Sequence, residues 1–236
     1  KKIIIAIDGH AGCGKSTTAI KVAQELAYIY ITSGAMYRSA ALYFHQNGID
    51  FSQENPEMLQ ALADMNIEFR EQSGGKDPLI FLNDTDVSNE IRTPFISDIV
   101  SPVSVHPSVR EAMVHQQRRI GKKGGIVMDG RDIGTVVFPQ AELKIFMTAS
   151  LEARAGRRLQ EMKNKGMDAT LEYVIENLQK RDYMDSNRTV SPLKQAEDAI
   201  VLDTTLLTID EQVKKVCELA RKVIAGQNTF TGSSHS

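Results

Sequence analysis

The sequence predicts an α/β fold, a parallel sheet with helices on both faces, and three observations carry that expectation. Short apolar runs rich in β-branched residues recur at Ile3–Ile7, Tyr28–Ile31, Ile126–Met128, Leu143–Met147 and Ala199–Leu202. Between them lie segments with helical spacing, at about 16–26, 35–46, 107–119, 151–164, 170–183 and 208–225. The third observation is a glycine-rich loop, Gly9-His10-Ala11-Gly12-Cys13-Gly14-Lys15-Ser16-Thr17, set between the first strand and the first helix.

That loop meets the spacing of a phosphate-binding P-loop in the required strand–loop–helix context. Its glycines let the backbone wrap a polyphosphate with N–H groups turned inward, Lys15 reaches the β and γ phosphates, and Ser16 can ligate Mg²⁺. Residues Gly9 to Thr17 are therefore the expected ATP-binding set. Cys13 sits among those N–H groups at a helix N-terminus, an environment expected to favour thiolate and to make it the more reactive of the two cysteines.

The remaining elements follow in order. Ser150 precedes the helix that opens at Leu151, while Thr208-Ile209-Asp210-Glu211 reads as a capped first turn with Gly226 closing the last helix. The stretch from 50 to 106 differs, carrying Pro56, Gly74-Gly75, Pro78, Pro94 and Pro102 with short alternating runs at Ile67–Arg70 and Leu79–Leu82. It is expected to be an inserted β-rich subdomain, with Gln72–Asp77 as a hairpin connection. The expected organisation is one domain over 1–226. Its core spans 1–49, 107–150 and 191–226, the insert is 50–106, a helical lid covers 151–190, and a disordered tail occupies 227–236.

A second acidic station follows the strand-like Ile126–Met128: Asp129-Gly130-Arg131-Asp132. Active groups of open α/β sheets gather at the carboxyl ends of strands, so Asp129 joins Ser16 as a candidate holder of Mg²⁺. Arginines cluster further on. Arg154, Arg157 and Arg158 share a helix face at i, i+3 and i+4, a pattern that also suits a solvated charged face. Arg181 precedes Asp185 and Arg188, the last in a loop-like Asp185–Pro192. Phosphoryl transfer needs positive charge around the equatorial oxygens, and a closing lid excludes the water that would otherwise hydrolyse ATP.

Composition excludes several classes. A net charge of −2 gives no reason to expect nucleic acid or an anionic membrane as partner. No apolar run approaches a membrane span, and two cysteines make neither a disulfide framework nor a zinc site. A cytoplasmic monomer acting on small nucleotides is the expectation. A GTPase-like switch would need Asn-Lys-x-Asp, and the nearest candidate, Asn164-Lys165-Gly166-Met167, lacks the aspartate.

Taken together, the P-loop, Ser33-Gly34-Ala35-Met36-Tyr37-Arg38, the long block Asp129–Pro139 and Arg181-Asp182-x3-Ser186-Asn187-Arg188 closely resemble bacterial cytidylate kinases. The likeness spans residues 2–225, and the block Asp129–Pro139 argues against P-loop kinases for AMP, shikimate or dephospho-coenzyme A. The resemblance implies transfer of the γ-phosphoryl group of ATP to CMP or dCMP with Mg²⁺, in pyrimidine nucleotide metabolism, on a P-loop NTPase-type sheet whose insert binds the monophosphate. It implies that Ser101, Arg110 and Asp132 contact cytosine, that Arg38, Arg131 and Arg188 contact the CMP phosphate, and that Arg181 and Asp185 lie by the sugar, with Ser33 in the same pocket. Arg157 and Arg158 match lid arginines that approach ATP. Lys15, Asp129, Arg131 and Arg188 would form the catalytic set. The chain departs from the family at Thr32, where aspartate is usual, and at His10, where proline is usual. The residue chemistry suits cytosine independently, because a carboxylate accepts from its N4 amino group while a guanidinium donates to N3 or O2.

Overall fold

The computed structural model describes residues 1–70, 72, 78–164 and 166–227. In chain order the elements are β1 (Ile4–Gly9), α1 (Lys15–Leu26), β2 (Ile29–Thr32), α2 (Ser33–Gln46), α3 (Pro56–Asp64), β3 (Ile67–Arg70), β4 (Leu79–Leu82), β5 (Thr85–Asp86) and α4 (Pro94–Ser104). They continue with α5 (Pro107–Gly121), β6 (Ile126–Gly130), β7 (Leu143–Thr148), α6 (Leu151–Asn164), α7 (Leu171–Asn187), β8 (Ile200–Asp203) and α8 (Ile209–Ile224). Two compact units divide the chain: Lys1–Tyr28 with the segment from Gly124 onward, and Ile29–Lys123. The second takes in the 50–106 stretch together with β2, α2 and α5.

In the first unit the strands run parallel in the order β6-β1-β7-β8. All five residues of β6 are buried, its apolar Ile126–Met128 as expected of a strand covered on both faces and Asp129 with them. Register aligns the strand ends: Ile7 lies opposite Asp129, and Gly9 opposite Met147. Only glycine fits at position 9, where φ is +149° and a Cβ would come within 2.1 Å of the Met147 carbonyl oxygen. The P-loop and Asp129 thus leave one edge of one sheet.

Helix α8 opens on the expected capping box. The Thr208 hydroxyl accepts from the Glu211 N–H at 3.3 Å, and the Glu211 carboxylate accepts from the Thr208 N–H at 2.8 Å. It lies against α1, where the buried Thr18 hydroxyl donates to Gln212 Oε1 at 2.7 Å. Helices α6 and α7 pair along Ala155, Val174 and Leu178, and this apolar seam includes Ala11 of the P-loop. The reading of Asp185–Pro192 as loop is corrected at its start, because α7 continues through Asn187 and Arg188 is its C-cap.

In the second unit, β3, β4 and β5 form an antiparallel sheet with Ile67 opposite Leu82 and Phe69 opposite Ile80. The expected connection at Gln72–Asp77 lies, from 73 to 77, outside the described residues, as does the tail from 228 onward. The insert is less β-rich than the sequence reading gives, since α3 and α4 also fall in it. Both start at prolines of that stretch: Asn55 Oδ1 accepts from Met58 N at 2.8 Å ahead of Pro56, and Thr93 Oγ1 accepts from Ile96 N at 3.5 Å ahead of Pro94. At the first helical position proline has no N–H to waste and its φ is already helical. Among the described residues no helix is long and apolar enough to cross a membrane.

Candidate active site

The P-loop is held by its carbonyls. Lys15 Nζ donates to His10 O at 2.6 Å, Arg154 Nη1 to Ala11 O at 3.2 Å, and Thr204 Oγ1 to Cys13 O at 3.0 Å. A loop gripped on its acceptor side presents its N–H edge to an anion. Burial, followed by repulsion from Arg131, lowers the Lys15 pKa to about 8. A phosphate bound there adds negative charge beside this amine and favours its charged form.

Ser16, at the start of α1, donates its hydroxyl to Asp129 Oδ2 at 2.8 Å. Asp129 is buried at the end of β6, so helix start and strand end converge on one hydroxyl–carboxylate pair. Asp8 stands beside this edge at the end of β1 and accepts from Ile133 N at 2.8 Å and Gly134 N at 2.7 Å. Burial raises its pKa to about 6 against the pull of those two N–H groups. Sequence reading missed Asp8, although it directly precedes Gly9 at a strand end.

Arg131, Arg188, Asp132 and Asp185 form a charge cluster. Arg131 Nε donates to Asp185 Oδ2 at 2.6 Å, and Arg188 Nη2 lies 3.8 Å from Asp132 Oδ1 and Nη1 4.0 Å from Asp185 Oδ1. Burial alone would raise the Asp185 pKa, but Arg131 beside it brings the value below the ordinary one. Arg181 is on the same helix as Asp185, one turn before it. Carboxylates that hold arginines in fixed rotamers keep guanidinium groups ready for a phosphate.

Arg154 corrects the solvated-face reading. It is buried, with Nη1 2.6 Å from Asp182 Oδ2 and Nε 3.2 Å from Ala149 O. Arg157 reaches Thr204, donating to its hydroxyl at 3.1 Å and to its carbonyl, and is thereby one residue removed from the loop. Arg158 pairs with Glu161 at 2.8 Å on the surface. The expectation of a reactive Cys13 is also corrected. The residue is fully buried, and burial pushes its thiol pKa up despite Lys15 and Arg154 nearby. Burial raises Cys217 too.

In the second unit, Ser33 and Arg110 are buried. The Arg110 guanidinium lies 5.2 Å from the centre of the Tyr37 ring and donates to Ser104 O at 3.3 Å. Arg38 lies over the first turn of α2, its Nη1 3.1 Å from where a Cβ on Gly34 would be. Ser101 is exposed on α4.

A sequence profile of the family described as Cytidylate kinase matches residues 5–222. The chain belongs to the cytidylate kinase family. Cytidylate kinase from Phocaeicola vulgatus is 50% identical over 232 residues, covering 96% of this chain and all of the relative. The Bacteroides fragilis and Bacillus cereus cytidylate kinases are 53% and 51% identical, covering 90% and 95% of this chain and 93% and 99% of their own. Within this cytidylate kinase fold, the residues that sequence reasoning left out of the site are Asp8, Arg154, Asp182 and Thr204. Arg154 sat in an identified arginine triple and Asp182 in a quoted motif, so both carried a signal. Thr204 carried none, because its role comes from a carbonyl 191 residues earlier in the chain.

Proposed function

We propose that the protein transfers the γ-phosphoryl group of ATP to CMP or dCMP, giving ADP and CDP or dCDP. The observation that carries this is the carbonyl-gripped P-loop with Ser16 and Asp129 paired at 2.8 Å, in a chain of the cytidylate kinase family. An oxygen of the CMP phosphate attacks the γ-phosphorus, a P–O bond forms there, and the bond to the β–γ bridging oxygen breaks. Residues Gly9–Thr17 bind the ATP polyphosphate, Lys15 neutralises charge growing on the bridge, and Arg157 and Arg158 are assigned to ATP. Arg131 and Arg188 hold the acceptor phosphate, to which Arg38 is also assigned.

The hydroxyl and carboxylate oxygens of Ser16 and Asp129 are the hard donor set that Mg²⁺ takes, with most of its remaining ligands coming from water and phosphate. Bound there, Mg²⁺ would supply charge neutralisation of the phosphates. Arg181 and Asp185 are assigned to the sugar, and Ser33, Ser101 and Arg110 to the nucleoside. Base choice is assigned to Asp132, whose carboxylate accepts from the N4 amino group of cytosine and meets a second acceptor in the O4 of uracil. The same reading makes the enzyme a cytoplasmic monomer with no nucleic-acid or membrane partner.

A coupled assay with ATP across CMP, dCMP, UMP and AMP tests the reading. CMP and dCMP are expected to exceed UMP in kcat/KM by about ten- to a hundredfold, the worth of one mismatched charged hydrogen bond. Asp132→Asn narrows that ratio, since an amide also donates. Equal turnover of all four nucleotides would reject the substrate, and an unchanged CMP-to-UMP ratio in Asp132→Asn would reject Asp132 as the base reader.

A further inference from the structure

His10 and Asp182 meet in a way that the transfer chemistry above does not use. The His10 Nδ1 and Asp182 Oδ1 atoms lie 3.3 Å apart, both are buried, and neither makes an aligned hydrogen bond. The other carboxylate oxygen of Asp182 takes Arg154 Nη1 at 2.6 Å, and the same nitrogen donates to the Ala11 carbonyl at 3.2 Å. Arg154 also packs directly on the loop: a Cβ built on Gly12 would stand 3.0 Å from the Arg154 Cβ. Asp182 therefore touches a P-loop side chain with one oxygen and, with the other, the arginine that grips the P-loop backbone.

The two ends of His10 have linked duties. Its carbonyl holds Lys15 Nζ, and its ring faces the carboxylate on α7. Two buried polar atoms left 3.3 Å apart and misaligned each carry a desolvation cost, which a small ring rotation removes by completing the bond. Completion fixes Asp182, Asp182 fixes Arg154, and Arg154 fixes the loop carbonyl.

We propose that His10 and Asp182 form a clasp that positions the P-loop for the triphosphate of ATP, Asp182 orienting Arg154 and His10 setting how firmly that carboxylate is held. Both are positioning residues, and the proposal rests on assigning the P-loop to ATP. The groups facing the His10 ring are Asp182 on α7, Arg154 on α6, Arg131 after β6 and Lys15 at the start of α1. Burial lowers the His10 pKa, so the ring is neutral at pH 7 and gains its proton, and with it a full ion pair to Asp182, only under acidic conditions. Positive charge there favours both the clasp and a bound polyphosphate.

Equilibrium binding of a fluorescent ATP analogue, with steady-state kinetics, tests the clasp in His10→Ala, Asp182→Asn, the double variant and His10→Asn. His10→Ala and Asp182→Asn are expected to weaken the analogue by about three- to tenfold, the scale of one net hydrogen bond, and to raise KM for ATP more than KM for CMP. The double variant loses no more than the worse single one, because the two residues act as a unit. His10→Asn recovers most of the loss, placing an amide N–H where Nδ1 stands, and, having no ring proton to gain, it lacks the additional tightening expected of the wild-type protein as pH falls below the ordinary histidine range. Binding within twofold of wild type in both single variants overturns the clasp, as do additive losses or equal losses for ATP and CMP. His10 is partly exposed, so its variants carry the test if Asp182→Asn fails to fold. Lys15→Ala is the control: wild-type binding in that variant would reject the P-loop as the ATP site, whereas loss there alone would reject only the clasp.

Discussion

Lys15 shows how far one side chain's surroundings define its task. A lysine that is 5% exposed, facing Arg131 and tied to a backbone carbonyl at 2.6 Å, is charged at pH 7 although burial and that arginine lower its pKa. Its role in the proposed transfer is electrostatic, and removing one such preorganised contact costs about 10²–10³ in rate. Lys15→Ala is expected to lose that much in kcat while keeping its thermal midpoint near wild type, and near-native rates in a folded variant would remove the P-loop from the mechanism. A pKa of about 8 adds a pH signature. The amine is protonated below that value and neutral above it, so kcat/KM for ATP, which reports the free enzyme, is expected to fall as pH rises through about 8. A flat profile up to pH 9.5 would mean that the amine stays charged.

At the scale of elements, the strands and main helices were legible in the sequence because each carries its own period and punctuation. The capping box of α8 and the apolar run Ile126–Met128 of β6 are local signals, and the structure keeps both. What was not legible depends on partners remote in the chain. Arg154 shares a helical triple with Arg157 and Arg158, yet only tertiary packing buries the first and leaves the third on the surface. Cys13 has the backbone context of a reactive thiol, and burial outweighs it. Pro56 and Pro94 marked the stretch read as β-rich, although Asn55 and Thr93 stand before them as helix caps. Asp8 joins β1 to the π-helical turn at Ile133–Val137 by two N–H donors, a link invisible from sequence spacing of 125 and 126 residues. Asp8→Asn sets an NH₂ against one of those donors and is expected to cost about 1–3 kcal/mol in chemical denaturation. The folded-state pKa of Asp8, about 6, lies above its ordinary value of 3.8, so its stabilising contribution is full at acid pH and is lost as pH rises through about 6. The stability gap between wild type and Asp8→Asn should therefore narrow from pH 4.5 to 7.5, and a gap that widens would show that the carboxylate is depressed instead.

For the whole molecule, the charge total hides the arrangement that matters. A net charge of −2 coexists with Arg131, Arg154, Arg157, Arg181 and Arg188 in one unit, several of them held by Asp182 and Asp185 on α7. The α6–α7 pair shares its apolar seam with Ala11 of the P-loop. Bringing the triphosphate of ATP and the phosphate of CMP to such a cluster adds negative charge where guanidinium groups already converge. The region 151–190 is then expected to close as a lid, by opposite-charge attraction that salt weakens. Amide hydrogen exchange reads this directly, because segments that open locally exchange faster than the global unfolding limit. With a non-hydrolysable ATP analogue and CMP together, exchange in 151–190 should slow relative to the free protein, and the slowing should shrink at high salt. Slowing confined to residues 9–17, with 151–190 unchanged, would mean that α6 and α7 are a fixed wall rather than a lid, and that water is excluded by some other part of the chain.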